Sequence, residues 1–147
     1  MTAPTLEDQM RRLIYELQLM ETSAGTLQQR LSILQNAVAE LRVAEMSLRG
    51  VEEAEEGSPI LVPMGGGTFV KAELGELSKV VVNIGADVSI DMTLEEAKEN
   101  VSGRLEEAEK ANEAVGQQLN QILAQMQSHQ DNLNRLNASL RGEPPSV

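Results

Sequence analysis

Two runs of mostly apolar residues, each spaced by alternating steps of four and three, set the terms for this chain. The first runs Leu6, Met10, Leu13, Leu17, Met20, Ala24, Leu27, Leu31, Leu34, Val38, Leu41, Glu45, Leu48. The second runs Leu94, Lys98, Val101, Leu105, Ala108, Asn112, Val115, Leu119, Ile122, Met126, His129, Leu133, Leu136, Leu140. A heptad kept this long without a slip means a coiled coil. At the rise of an α-helix the two runs are roughly 64 and 70 Å long. Thr5, with Glu7 and Asp8 behind it, caps the first helix, predicted over 5–50 with Gly50 as its left-handed end. Thr93-Leu94-Glu95-Glu96 is a capping box opening the second helix over 93–141, which Gly142 and Pro144-Pro145 stop.

Helices matched in length, with a short stretch between them, favour an antiparallel hairpin within one chain. Two registers layer a positions on d positions. One faces Leu6 with Leu140, Met20 with Met126 and Leu34 with Asn112; the other is one heptad shorter. The first is preferred, because it leaves no seam residue unpaired at either end. Asn112 reads as a polar seam residue that fixes register at some cost in stability. Glu45 and Lys98 fall near each other and are expected to pair. His129, the sole histidine, reads as a satisfied seam residue, since a metal or catalytic role needs partners that the seam does not offer.

Between the helices, residues 59–92 carry the β-structure. Short β-branched runs are broken by Gly65-Gly66-Gly67 and by Gly85-Ala86-Asp87, which predicts two β-hairpins. The stretch also repeats itself: Ile60-Leu61-Val62 aligns with Val80-Val81-Val82, Gly65 with Gly85, and Val70 with Ile90. A lone hairpin is marginal in water, so these strands are expected to bury their apolar faces against neighbouring chains. The candidate assembly residues are Ile60, Val62, Phe69, Val70, Val80, Val82, Ile84, Val88 and Ile90. Residues 51–58, with Glu52, Glu53, Glu55 and Glu56, read as a solvated linker, and 142–147 as a tail, all within a single domain.

Composition narrows the function. Aromatics make up only 1% of the 147 residues, which suits a thin seam in an elongated fold better than a compact core. A net charge of −11 weighs against nucleic acid or an anionic membrane as the partner, since both demand Lys and Arg. There is no cysteine, so no disulfide, thiol nucleophile or zinc–thiolate site is available; this fits a reducing cytosol. The opening MTAPTLEDQM has neither the basic start nor the apolar core of a signal peptide, and no apolar run nears the ~20 residues of a membrane span. The expectation is a soluble, cytoplasmic protein.

Catalysis needs groups converging in a pocket, and a two-stranded coiled coil encloses none. Met64-Gly65-Gly66-Gly67-Thr68 lacks the Gly-Lys-Ser/Thr ending of a phosphate loop and leads into a strand instead of a helix. No enzyme, metal or cofactor is expected. Binding remains, and its candidate surface is where the chain ends meet: Leu6, Met10, Leu13 and Ile14 with Leu133, Leu136 and Leu140. Ile14 and Leu19 lie off the seam and should stay partly exposed, as interaction sites often do.

The wording of the insert, Ile60-Leu61-Val62-Pro63-Met64-Gly65-Gly66-Gly67-Thr68-Phe69-Val70-Lys71-Ala72-Glu73 and Val82-Asn83-Ile84-Gly85-Ala86-Asp87-Val88, with the helices around it, resembles the alpha subunits of archaeal prefoldins. Two hairpins look like the alpha class; the beta class carries one. The resemblance implies a hexamer of two alpha-class and four beta-class subunits, whose hairpins join in a double β-barrel from which six coiled-coil arms hang. It implies an ATP-independent holdase that captures unfolded polypeptides at the arm tips and passes them to a group II chaperonin. The competing reading is a structural coiled-coil scaffold that holds fixed protein partners. A divergent enzyme would need a pocket between subunits, near Lys71, Glu73, Asp87 and Asp91.

Overall fold

The structure, a computed structural model, describes residues 3–142. Its elements run α1 (Leu6–Glu53), β1 (Pro59–Gly65), β2 (Thr68–Glu73), β3 (Lys79–Gly85), β4 (Val88–Thr93) and α2 (Leu94–Arg141). The two helices are 48 residues each. They flank two antiparallel hairpins, as the sequence predicts, and each hairpin is a separate two-stranded sheet. The chain divides into two compact units, one of Met1–Gln35 with Lys110–Val147 and one of Asn36–Glu109. Pro144 and Pro145 lie outside the described residues.

Both helix starts are capped by reciprocal bonds. Asp8 N–H donates to Thr5 Oγ1 at 3.2 Å, and Thr5 N–H donates to Asp8 Oδ2 at 3.3 Å. At α2, Glu96 N–H donates to Thr93 Oγ1 at 3.2 Å and Thr93 N–H donates to Glu96 Oε2 at 3.4 Å. Each pair satisfies two backbone donors that a helix start leaves free. At the other end of α2, Gly142 takes φ 71° and its N–H donates to the Ser139 carbonyl at 3.2 Å.

Gly50 does not end α1, which continues to Glu53. A mid-helix glycine costs about 1 kcal/mol, and the contacts of the next two residues outweigh it. Val51 is half-buried beside the seam, in the groove shared with Val80 and Val101, and Glu52 Oε2 accepts from Lys98 Nζ at 2.8 Å. The expected partnership of Glu45 with Lys98 is therefore replaced, and Glu45 bonds Arg49 on its own helix at 2.8 Å. Glu55 and Glu56 are exposed, and the segment that carries them is tied down by hydrogen bonds. Ser58 Oγ donates to the Glu55 carbonyl at 2.6 Å. Gly57, at φ 83°, donates its N–H to the Leu74 carbonyl at 2.7 Å, and Leu74 N–H returns a bond to the Ser58 carbonyl at 2.9 Å. The β1–β2 ladder thus runs on past Pro59.

Within the unit Asn36–Glu109 the sequence repeat becomes a structural one. β1 pairs Ile60 with Ala72 and Val62 with Val70, and its register shifts between Pro63 and Gly65. β3 pairs Val80 with Met92 and Val82 with Ile90, with the same shift between Asn83 and Gly85. Both turns hold two left-handed residues, Gly66 and Gly67 at φ 58° and 79°, then Ala86 and Asp87 at 49° and 58°. That is the turn whose twist matches a hairpin. Glycine adopts it freely and aspartate tolerates it, but in alanine the Cβ crowds the following carbonyl oxygen.

The buried apolar residues among those described are small: Ala24, Ala97, Val101 and Val115. The remaining apolar seam side chains are half-buried, apart from Leu6 and Leu140, which are exposed. In the unit of the chain ends, Glu16 Oε2 lies 2.7 Å from His129 Nε2. Glu16 faces Gln130 in the preferred register and Leu123 in the shorter one, so this bond fits the preferred alignment. Asn112 is half-buried, and its Oδ1 is buried without a hydrogen-bond partner, a loss of about 1–3 kcal/mol.

Ala86→Gly is expected to stabilise the protein by about 1 kcal/mol through relief of the left-handed alanine, read as a higher midpoint in chemical denaturation. An unchanged midpoint would mean that the turn carries no such penalty. Thr93→Ala should lower stability by about 1 kcal/mol through loss of the α2 cap, read in the same way.

Candidate functional site

Two surfaces, one in each unit, gather uncovered large apolar side chains, and Ile33, Val43, Met46 and Leu123 are exposed elsewhere along the helices. In the unit of the chain ends, α1 and α2 close their seam over Met10, Leu13, Leu133 and Leu136, all half-buried, while Leu6 and Leu140 are exposed. Ile14 is 42% exposed and Leu19 51%, as their off-seam spacing predicts. Tyr15, the single tyrosine, is more exposed still and is not among the residues that the sequence reading picks out. Its place beside Ile14 and off the seam is the one signal that points to it. A groove of about 440 Å³ runs between the helices here, lined by Leu13 and Leu136 with Gln9, Arg12, Glu16, Asn132 and Arg135.

Polar contacts at this groove are ordered. Arg12 Nε donates to Glu16 Oε1 at 2.9 Å, leaving Oε2 to His129. The Arg12 hydrogen bond first, and the His129 bond second, hold the Glu16 carboxyl below the usual carboxylate range. The ring of His129 also places Nδ1 3.0 Å from the Gln125 carbonyl oxygen, so it is satisfied in the seam. Nearby, Asp8 is held low by its bonds to the Thr5 hydroxyl and backbone.

In the other unit the hairpins hold the predicted assembly residues. Ile60, Val80 and Val82 are half-buried. Val62, Phe69, Val70, Ile84, Val88 and Ile90 are exposed, and so are Leu61, Met64 and Val81. The only phenylalanine of the chain is 57% exposed, a poor use of a large apolar ring unless something covers it. Beneath β3, an apolar groove of about 560 Å³ is lined by Leu48 and Val51 of α1, Val101 and Arg104 of α2, and Val80 to Gly85. Asn100 also lines it, with its Oδ1 buried and unpartnered.

Among the described residues no group of His, Asp and Glu is placed to hold a metal ion, and no helix is long and apolar enough to cross a membrane. Lys71, Glu73, Asp87 and Asp91 are all exposed. Lys71 stands in register with Leu61 and Asp91 with Val81, so no acid faces the lysine across its hairpin.

A family model described as Prefoldin subunit matches residues 20–139. The chain is 31% identical to the prefoldin subunit alpha of Methanopyrus kandleri over 114 residues, which span 78% of this chain and 73% of that one. It is 32% identical to the prefoldin subunit alpha of Methanosarcina mazei over 126 residues, 84% of this chain and 89% of the relative. Among solved structures, a chain in the cryo-EM structure of filamentous PFD from Methanocaldococcus jannaschii shares the fold with a TM-score of 0.65. That match has 21% identity and covers 76% of this chain and 93% of that one. Matched helices, paired hairpins and the alpha-subunit relatives agree, and the chain belongs to the prefoldin family, as a chaperone subunit of the archaeal alpha class.

Proposed function

We propose that this subunit works in an ATP-independent holdase that captures unfolded polypeptides where its chain ends meet and passes them to a group II chaperonin. Its partners are beta-class prefoldin subunits in an α2β4 hexamer in the cytoplasm. Ile60, Val62, Phe69, Val70, Val80, Val82, Ile84, Val88 and Ile90 join the hairpins of neighbouring subunits into a β-barrel platform. Leu6, Met10, Leu13, Ile14, Leu133, Leu136 and Leu140 contact the client.

The observation that carries this reading is the presence of two uncovered apolar surfaces of different build, one on the hairpins and one along the helices near the chain ends. The hairpin surface is built on fixed backbone ladders, which suits a permanent partner of one shape. The other surface is a string of exposed side chains, Ile14, Tyr15 and Leu19, along a helix. Such a string supplies apolar contact without a shaped cavity, as binding to chains that have no fixed shape requires.

Assembled with a beta-class chain, the protein should suppress aggregation of a denatured test protein without ATP. Deleting residues 1–14 and 133–147 together should abolish protection while leaving the hexamer intact by mass; full protection by the trimmed hexamer would sink the proposed capture site. Ile14→Ser with Leu19→Ser should weaken protection severalfold and shift stability by no more than about 0.5 kcal/mol, since both side chains are exposed. A scaffold would instead bind one folded protein saturably and leave unrelated unfolded chains unprotected.

A further inference from the structure

We infer that the groove between α1 and α2 at the chain ends prefers client segments in which an acidic side chain stands among apolar ones, and that Arg135 reads the carboxylate. The inference rests on the proposed capture at this end and names the kind of segment it takes.

The floor of the groove is apolar, formed by Leu13 and Leu136, and its volume of about 440 Å³ suits a few side chains. Three charged side chains line it, Arg12, Glu16 and Arg135. Two of them are engaged with each other, since Arg12 Nε donates to Glu16 Oε1 at 2.9 Å. The second oxygen of Glu16 lies 2.7 Å from His129 Nε2, so neither oxygen is left for Arg135. Asp131 stands four places before Arg135 on α2, the spacing at which an acid pairs with a following arginine. Its Oδ1 accepts instead from Gln127 at 3.1 Å. Asp8, in the first turn of α1, is tied to Thr5. Among the described residues no side chain pairs with Arg135, and the groove carries one positive charge that nothing within it answers.

A guanidinium presents its N–H donors in a planar fork and has no acceptor. The group that fits it best is a carboxylate, held by two parallel bonds; a neutral amide of the same shape makes weaker ones. A client segment lying over the apolar floor shields the pair from water, which strengthens the attraction. Glu or Asp among apolar residues supplies both requirements at once, apolar contact for Leu13 and Leu136 and oxygens for Arg135. A lysine at the same place meets Arg135 with like charge. Tyr15 and Leu19 follow Arg12 by three and seven places, so they lie along one side of α1 with it. They offer contact to any apolar segment, and the groove ranks segments among themselves.

The chain has no cysteine, so Ser128→Cys, at an exposed position about two turns before Arg135, takes one dye before assembly with the beta-class partner. The dye then reports on this subunit's own end within the whole complex. Three peptides of one apolar sequence, capped at both ends, carry Glu, Gln or Lys at the centre and are titrated at about 0.1 M salt. The Glu peptide should bind roughly five- to tenfold more tightly than the Gln peptide, and the Lys peptide more weakly than either. Arg135→Gln should bring the Glu peptide level with the Gln peptide. Arg135→Lys, which keeps the charge and lacks the fork, should retain part of the preference. Equal binding of the Glu and Gln peptides to the native groove, or a preference that persists in Arg135→Gln, would overturn the inference. So would an equal gain from uncapping the C-terminus of the Gln peptide, since the groove would then take chain ends. Deleting residues 1–14 and 133–147 separates this selection from capture itself. If the peptides bind alike and the deletion abolishes their binding, selection fails and capture at this end stands; binding that survives the deletion counts against both.

Discussion

A β-hairpin has two faces, and this chain covers only part of one on each of its two hairpins. The base of one face is sheltered through Ile60, Ala72, Val80, Val82 and Met92, all half-buried. The opposite faces carry Leu61 and Phe69 on one hairpin and Val81 on the other, the last 71% exposed. Each side chain of this kind gains about 1.5–3 kcal/mol when fully covered, and a two-stranded sheet has little stability of its own. The rest of the molecule depends on that shortfall. A subunit whose hairpins stay uncovered is incomplete, which is what membership of the prefoldin family requires of a chain that works in a complex. The edges differ as well: β1 contains Pro59 and Pro63, which have no N–H to offer a further strand, whereas β3 contains no proline.

The helices show the same economy. A two-helix seam buries a stripe and little more, and no buried apolar residue among those described is larger than valine. Leu and Met side chains lie half-covered on either side of that stripe. Polar substitutions are then tolerated where a partner reaches them, as Glu52 does for Lys98 and Glu16 for His129. Asn112 shows the other outcome: its Oδ1 is buried and unpaired, and no bond across the helices compensates. A seam this thin leaves the chain-end leucines close to exposure, which is the physical ground for placing client contact there.

Much of this is legible in the residues. The four–three spacing marks both helices, Thr5 and Thr93 mark their starts, and the glycine-bearing turns with their repeat mark two hairpins of one construction. The features that escape a reading of the residues turn on pairing between distant segments. Gly50 reads locally as a helix end, yet α1 runs on to Glu53, and Glu52 in that last turn pairs with Lys98 on α2. The acidic run reads as a linker, and the bonds from Gly57 and Ser58 to Leu74 that hold it do not show in its own residues. Glu45 and Lys98 are close on a seam diagram, but side-chain reach gives each a different partner. The exposure of Tyr15 escapes for a simpler reason: an off-seam ring can lie flat along its own helix as readily as project from it.

Charge is divided unevenly between the two units, and the division bears on how each surface is used. Among the described residues, the unit of the chain ends has six basic and six acidic side chains; the unit Asn36–Glu109 has six basic and sixteen acidic. An acidic surplus around uncovered hairpin faces keeps like copies apart while those faces await a partner. In the unit of the chain ends, where client capture is proposed, the two signs balance, so no net field draws in or repels an unfolded chain by its own charge. On the proposed reading, Ile14, Tyr15 and Leu19 then select by apolar contact, the property that unfolded proteins share irrespective of sequence.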